Sequence, residues 1–452
     1  MHLSLATTTS AGLARILLPA ALLIATAVPA RADDTTAPTT QTADDAHEQV
    51  AATADSPIDA LVRAAYAHNL ELQAAHARWQ ASSERPAQAR SLPDPVLGYG
   101  YFVKRMETRQ RFSLQQMFPG GGRRGLEAEA ATRAAEAAEA ALETTAARVR
   151  SEVLQAFADW LLVRQTHALV AQNLDIVVSL QAIVQQRHRS GDASLADLLR
   201  LESEADLLRL DLAELEERRA PALARLNARL GRPGDTPPDP ALAALTSLPP
   251  LPPLPAVDLS PDLAARLAAN PELLERRHLV RQAETRRELS RRANRPDFMV
   301  GVEFMDNRGM ARDEVLGMVS VNLPVWRTRT AALRREATAD LRAAELDHAD
   351  RRLSLEAEAR QTLFALAAAA RRLRLYDDTL LPRARQTLDL VEADYRTGRA
   401  TFLDLLEARR ALLALEQAAL NTRADHFRRH AEWEQLAGPF SSTVTKTDSA
   451  DE

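Results

Sequence analysis

The chain has no cysteine among its 452 residues. Disulfides, thiolate metal sites, cysteine nucleophiles and a lipidated N-terminal cysteine are therefore excluded. Aromatic residues contribute only 4 % although 46 % of the chain is hydrophobic, so its apolar content is mostly alanine and leucine, the composition of long helices. Lysine occurs only at Lys104 and Lys446, a composition bias rather than a functional signal. The net charge of −5 is small for this length and supplies no basic field for nucleic acid. No H-E-x-x-H, G-x-S-x-G or phosphate-loop pattern occurs, and the ten histidines are scattered. This is not the sequence of an enzyme, and no cofactor is implied. Beyond the N-terminus, no apolar run is expected to reach the ~20 residues that a membrane-spanning helix needs.

What is present begins with an export signal over residues 1–32. Arg15 supplies positive charge, Ile16 to Val28 form a short apolar run, and Ala30-Arg31-Ala32 is a small-x-small cleavage site. A leader without periodicity follows at 33–55.

The rest is one sentence written twice. Arg187-His-Arg-Ser-Gly191-Asp-Ala-Ser194-Leu-Ala-Asp197-Leu-Leu recurs as Asp394-Tyr-Arg-Thr-Gly398-Arg-Ala-Thr401-Phe-Leu-Asp404-Leu-Leu, 207 positions on. Ser56-Pro57 recurs as Ser260-Pro261, Asn69-Leu-Glu71 as Asn270-Pro-Glu272, and Pro93-Asp94 as Pro296-Asp297. The repeating unit is far longer than a solenoid repeat, so two similar halves lie side by side. They occupy 56–230 and 260–437, joined by a proline-rich linker at 231–259. A polar, disordered tail is expected at 438–452.

Each copy predicts the same order of elements. A helix starts at Ser56, with Pro57 at its first position, and runs towards Arg90. Strands are expected at 96–103 and 111–118. In the second, Arg111, Ser113 and Gln115 alternate with Phe112 and Leu114. Pro119-Gly-Gly-Gly122 is a strand-to-helix hinge. From Arg123 to about Arg187 there is no proline and one glycine, Gly125. A helix of that length is a rod of roughly 100 Å. Gly191 turns the chain, and a second helix runs to about Leu230, interrupted by Pro221. In the second copy a helix follows Pro261. Strands are expected at 297–305 and 315–323, a helix from Arg329 to Tyr395 containing Pro382, and a last helix to Leu436.

The fold is therefore mainly α with a small β part. Four short strands with one polar and one apolar face suit a wall between lipid and water. Four strands cannot close, and sheet edges are not tolerated in lipid, so other chains must complete the wall. Two chains would give eight strands and a filled interior, three would give twelve and a pore. The helices carry charge on both faces and belong in an aqueous compartment. A periplasmic coiled-coil scaffold without channel activity is the alternative reading, and the alternating strands speak against it.

The export signal, the duplicated hairpin, Leu92-Pro-Asp-Pro-Val, Arg111-Phe-Ser-Leu-x-Gln-x-Phe-Pro119 and the two Gly-x-x-[Ser/Thr]-x-x-Asp-Leu-Leu tips resemble the TolC family of outer-membrane efflux proteins, with wording somewhat like its heavy-metal branch. The likeness covers essentially 56–437. It implies a homotrimer with a 12-stranded barrel in outer-membrane lipid and a long periplasmic helical barrel. It also implies a periplasmic adaptor (membrane fusion) protein and an inner-membrane pump of the RND type as partners. Substrate would pass passively to the exterior of a Gram-negative bacterium.

Candidate site residues fall at the tips. Asp404 and Glu407 share a helix face at i, i+3, and three copies would ring the tunnel end with carboxylates that attract cations and resist full ionisation together. The family carries an acidic constriction at matching positions. For Asp404 a capping box with Thr401 is the plainer reading, as Ser194 and Asp197 form one in the other copy. Glu407 has Arg200 as its counterpart, so capping does not account for it. Tyr395 matches a family tyrosine that tethers the closed tip. The family's best-known member has an arginine two places after the tip glycine, where this chain has Ala400, with Arg399 one place earlier. Gly191, Ser194, Asp197, Gly398 and Thr401 form the tips that the adaptor would grip. Apart from Met1, all methionines lie in strands or strand loops. Thioethers take Cu(I) and Ag(I), which makes Met299, Met305 and Met310 candidate metal ligands, while gap filling or lipid contact is the plainer use.

Overall fold

The computed structural model describes residues 57–103, 108–191, 193–251, 261–307 and 313–437. The export signal, the leader, Ser56, Met106, Met310 and the 438–452 tail lie outside the described residues.

The first half runs α1 (Pro57–His68), α2 (Leu70–Ser83), α3 (Arg85–Arg90), β1 (Val96–Tyr101), β2 (Thr108–Phe118), α4 (Arg123–Arg189) and α5 (Leu195–Arg229). A short α6 (Pro240–Ala243) follows. The second half runs α7 (Pro261–Ala268), α8 (Pro271–Arg292), β3 (Asp297–Asn307), β4 (Glu314–Asn322), α9 (Arg327–Leu375), a π turn (Tyr376–Leu380), α10 (Leu381–Arg396) and α11 (Phe402–Ala437).

The helix expected from Ser56 to Arg90 is three helices. Asn69 leaves the helical region (φ −66, ψ 118), and its side chain accepts from the Glu71 and Leu72 amides to start α2. The chain breaks again at Glu84, ahead of Pro86. Asn270 repeats the first break, accepting from the Glu272 amide. Both asparagines are buried, 6 % and 7 % exposed, because each also ties down its hairpin's returning helix. Asn69 Nδ2 donates to the Arg229 carbonyl at 2.9 Å, and Asn270 Nδ2 to the Leu436 carbonyl at 2.8 Å. The glutamate two places on is duplicated in role as well. Glu71 pairs with Arg148 of α4, and Glu272 with Arg351 of α9.

Pro221 does not interrupt α5, which runs through it. Pro382 instead follows the π turn. That turn absorbs part of a mismatch between the copies. α9 starts 204 positions after α4, yet Gly398 lies 207 after Gly191. Wider helical turns take up extra residues without ending a helix. The linker is less free than expected over its described part. Leu242 and Leu248 are buried in the core around Phe157 and Leu161, and Arg164 of α4 donates to the Ala243 carbonyl at 2.9 Å. One 18-residue window of α4 is long and apolar enough to cross a membrane, where none was expected. The same helix packs through Val170, Val177 and Val184, at heptad spacing, into an apolar cluster with α5 and α11.

The four strands form one antiparallel sheet in the order β1-β2-β3-β4. β2 begins at Thr108 and β3 ends at Asn307, inside the stretches expected to be loop. Cross-strand pairing outweighs their polarity, and Thr108 Oγ1 donates to Asn307 Oδ1 at 2.9 Å. Tyr99, Phe112, Phe304 and Val315 lie on one rung, and Leu97, Leu114 and Val302 on another, with Gly317. Val300, Val319, Phe298 and Val321 continue the same face, and all these side chains are exposed. The opposite face carries Arg111, Ser113, Gln115, Glu303, Ser320 and Asn322. The predicted alternation is present, with exceptions at Val96 and Leu316 on the polar face and Gln116 on the apolar one.

Where β2 becomes α4, the Pro119–Gly122 segment acts as the expected hinge. Gly121 and Gly122 have φ near +70, and a Cβ on Gly120 would stand 1.7 Å from the Pro296 carbonyl oxygen. Asp297 Oδ1 locks the corner, accepting from the Gly120 amide at 2.9 Å and from Arg123 at 2.7 Å.

Asn69→Ala and Asn270→Ala each remove a cap and leave a part-buried helix-end carbonyl without its donor. Each is expected to lower stability by about 1–3 kcal/mol. The midpoint of urea unfolding, followed by helical circular dichroism, measures this.

Candidate functional site at the hairpin tips

Two tips define the helical end of the molecule, Gly191 between α4 and α5, and Gly398 between α10 and α11. Both glycines are left-handed, with φ +86 and +74, and open space surrounds the place where a Cβ would stand. The requirement is therefore for the backbone conformation, not for room.

Both capping boxes form. Asp197 N donates to Ser194 Oγ at 3.1 Å, and Ser194 Oγ donates to Asp197 Oδ2 at 2.7 Å. At the second tip, Asp404 N donates to Thr401 Oγ1 at 3.2 Å. Asp404 Oδ2 accepts in return from the Thr401 amide at 2.8 Å and hydroxyl at 2.6 Å. The Thr401 hydroxyl, seconded by its amide, holds the Asp404 carboxyl below the usual aspartate range. In a single chain, Asp404 is thus a committed helix cap that stays ionised. Glu407 stands one turn on, exposed on the same face. No hydrogen bond or ion pair to it is found among the described residues. Arg200, at the corresponding place of the first tip, pairs with Asp197 at 3.4 Å.

Tyr395 is half-buried, edge-on to Phe402 at 6.1 Å between ring centres. Its hydroxyl accepts from Arg187 of α4 at 3.0 Å, and the Arg187 guanidinium lies 5.5 Å over its ring. Tyr395 therefore ties the second tip to the first within one chain. Arg399 does not take part. It folds back on its own turn, amide to the Asp394 carbonyl and side chain to Asp394 Oδ1, both at 2.8 Å.

Sequence reasoning missed the strongest link between the tips. Arg410 Nε donates to Glu204 Oε2 at 2.7 Å, joining α11 to α5, and Glu204 is only 7 % exposed. A signal was present. Leu201, Glu204, Ala205 and Leu208 follow the i, i+3, i+4, i+7 spacing of a buried stripe, and a carboxylate within such a stripe demands a cation. Around this pair, Val170, Val177, Val184, Leu201, Leu208, Phe402 and Leu406 form one core.

Of the methionines named from sequence, the two within the described residues, Met299 and Met305, do not meet. Met305 lies opposite Arg111 and Glu314, while Met299 lies six residues away on β3, about 20 Å along the strand. Met299 instead faces Met117 across the β2–β3 ladder. Among the described residues, no group of three or more His, Asp or Glu could hold a metal ion.

Arg410→Ala leaves Glu204 buried without its cation and is expected to destabilise the tips by about 1–3 kcal/mol, reduced from the fully buried case because the arginine is half exposed. Tryptic cleavage near Arg187 to Arg200 should accelerate. The double variant with Glu204→Gln should recover most of the loss, the non-additivity that marks a direct pair.

A family model described as outer membrane efflux protein matches residues 61–232 and 263–438. The cobalt-zinc-cadmium resistance protein CzcC of Cupriavidus metallidurans is 25 % identical over 364 residues, covering 78 % of this chain and 83 % of CzcC. Among solved structures, the outer membrane protein VceC of Vibrio cholerae superposes with a TM-score of 0.69 at 18 % identity, over 84 % of this chain and 96 % of VceC. CusC superposes with a TM-score of 0.70 at 18 % identity, over 85 % and 93 % of the two chains. Matched through both of its halves, the chain belongs to the outer membrane efflux protein family.

Proposed function

We propose that three copies of this chain form an outer-membrane exit duct of a tripartite efflux system. The observation that carries the reading is the sheet. It has an apolar face and a polar face, and among the described residues its two outer strands, β1 and β4, have no partner on their outer sides. In lipid such edges must pair, and β4 of one copy can pair only with an edge strand of the next. Three copies supply twelve strands, enough for a water-filled interior lined by the polar face. The charged helices then extend into the periplasm, where a periplasmic adaptor would grip the Gly191 and Gly398 tips and an inner-membrane pump of the RND type would drive export. The duct itself conducts passively and needs no catalytic group. The export signal at 1–32 fits that location, and the sequence holds no cysteine to lipidate. Similarity to CzcC, named for cobalt, zinc and cadmium resistance, favours metal ions as cargo.

The gate in this reading is the second tip. Three copies of Asp404 and Glu407 ring the periplasmic entrance. Tyr395–Arg187 and Arg410–Glu204 hold the second hairpin against the first and resist its outward movement.

The test is planar-bilayer conductance of the purified protein with divalent cations added from each side. Discrete channels blocked from the helical side are expected. Glu407→Gln should raise the divalent concentration for half-block about two- to fivefold, the factor that about 0.5–1 kcal/mol per exposed charge allows. Glu407 is the better probe because Asp404→Asn also damages a helix cap. Protein that is soluble without detergent and forms no channels would restore the scaffold reading.

A further inference from the structure

The two halves of the chain already form, within one molecule, the kind of joint that two molecules would need. β3 of the second half lies against β2 of the first, and α8 of the second half packs on both α4 and α9. At the corner, Asp297 stands just before Phe298, which faces Phe118, and its carboxylate takes Arg123, the first residue of α4. The duplication supplies a second set of the same parts. Asp94 is the counterpart of Asp297, and Leu323-Pro324 the counterpart of Phe118-Pro119. Arg327 opens α9 as Arg123 opens α4.

In the second set the parts do not meet. Asp94 precedes β1 and Arg327 follows β4, at opposite edges of the sheet. Both are exposed, and neither side chain has a hydrogen bond or an ion pair among the described residues. The helices beside them are bare in the same way. α2 and α3 pack on α4, and most of their residues are exposed. Over 327–350 of α9 only Ala337 and Leu341 are buried. Its counterpart α4, which packs on α2, α3 and α8, is mostly buried or half-buried over 123–146. The side of α9 that stands open is therefore the side that α8 covers on α4.

We propose that the β2–β3 joint is the pattern for the joint between copies: β4 of one copy pairs antiparallel with β1 of the next, and Arg327 takes Asp94 of that next copy as Arg123 takes Asp297. The joint rests on the ring of copies in the proposed function and gives that ring its register. Asp297 precedes Phe298, the partner of Phe118, so Asp94 places Pro95 beside Leu323. Counting inward pairs Val96 with Asn322, Leu97 with Val321 and Tyr99 with Val319. The pleat supports this count independently, because Leu97, Tyr99, Val319 and Val321 all belong to the apolar face. A slip of one residue would set apolar side chains of one strand beside the polar face of the other. A slip of two would keep the faces but carry Asp94 about 7 Å further along the strand from Arg327. α2 and α3 of the next copy then cover the bare side of α9. One part is not reproduced. Val325-Trp326 stands where the first corner has three glycines, and the Val325 amide already donates to the Leu323 carbonyl at 3.0 Å. The backbones cannot close as they do at Gly120, so the ladder and the Arg327–Asp94 pair hold this joint, and it is the looser of the two.

The chain has no cysteine, so introduced pairs report without background. In detergent-purified protein, Leu97→Cys/Val321→Cys should oxidise into covalent rings of three chains, since directly opposed residues stand about 5 Å apart at Cβ. Leu97→Cys/Val319→Cys, two places out of register, should leave most chains single. For the ion pair, Asp94→Arg should lower the temperature at which the trimer falls apart, and Asp94→Arg/Arg327→Asp should recover most of that loss, as a direct pair requires. Native mass of the same samples separates the outcomes. Trimers that cross-link through 97 and 319, or through neither pair, overturn the register and leave the duct standing. No loss in the single charge variant, or no recovery in the double one, overturns the Asp94–Arg327 pair. Single chains by native mass, with helical circular dichroism intact, sink the duct and the joint together.

Discussion

A strand edge in hydrocarbon exposes amide and carbonyl groups that nothing around them can satisfy. That constraint, applied to a sheet with exposed aliphatic and aromatic side chains on one face and polar ones on the other, makes the single chain an incomplete object. The rest of the molecule can be understood as holding four strands, drawn from two distant halves, in one register. The chain brings β2 to β3 across the whole first hairpin. The corner at Gly120 and Asp297 fixes that meeting, with the backbones too close for any side chain at Gly120.

The duplication is carried out in chemistry as well as in shape. Each half uses a buried asparagine to start one helix and to hold the end of another, and each follows it with a glutamate aimed at an arginine of its long helix. The halves diverge where a gate would need them to. Both tip aspartates cap helices, but the residue one turn on is a paired arginine in the first copy and an exposed glutamate in the second. Cross-links join the tips to each other, and the core beneath them takes residues from both hairpins. The second hairpin is also the one with a π turn and a proline in its long helix, a local departure from regular hydrogen bonding that its counterpart lacks.

Much of this was legible in the sequence because it rests on local rules. Period-two alternation placed the strands within a few residues, and both capping boxes could be seen in Ser194-x-x-Asp197 and Thr401-x-x-Asp404. What escaped depends on partners far away in the chain. The breaks at Asn69 and Asn270 carry a local mark, an asparagine N-cap with a glutamate in the first turn, but their burial and their hold on the Arg229 and Leu436 carbonyls depend on distant chain. The strand ends were underestimated because Thr108 and Asn307 gain from each other what neither gains alone. Arg399 stands one place short of the family's tip arginine, and its own turn offers it a near carboxylate in Asp394. The Glu204–Arg410 pair was half visible, since the misfit glutamate was in plain view and its cation was 206 residues off. Met299 and Met305, grouped by their spacing along one strand, stand about 20 Å apart along it.

The two open edges have a genetic consequence. In the proposed duct, a closed ring of three identical chains has no spare position, and each copy seals the edge of its neighbour. A variant that folds and inserts but cannot form its outer ladder would not merely be lost; it would be built in. With equal amounts of defective and sound chains, only about one ring in eight would consist wholly of sound copies, as random assortment in a cyclic trimer requires. Such a variant should act as a dominant poison in cells that carry both forms, whereas one that unfolds early would be recessive.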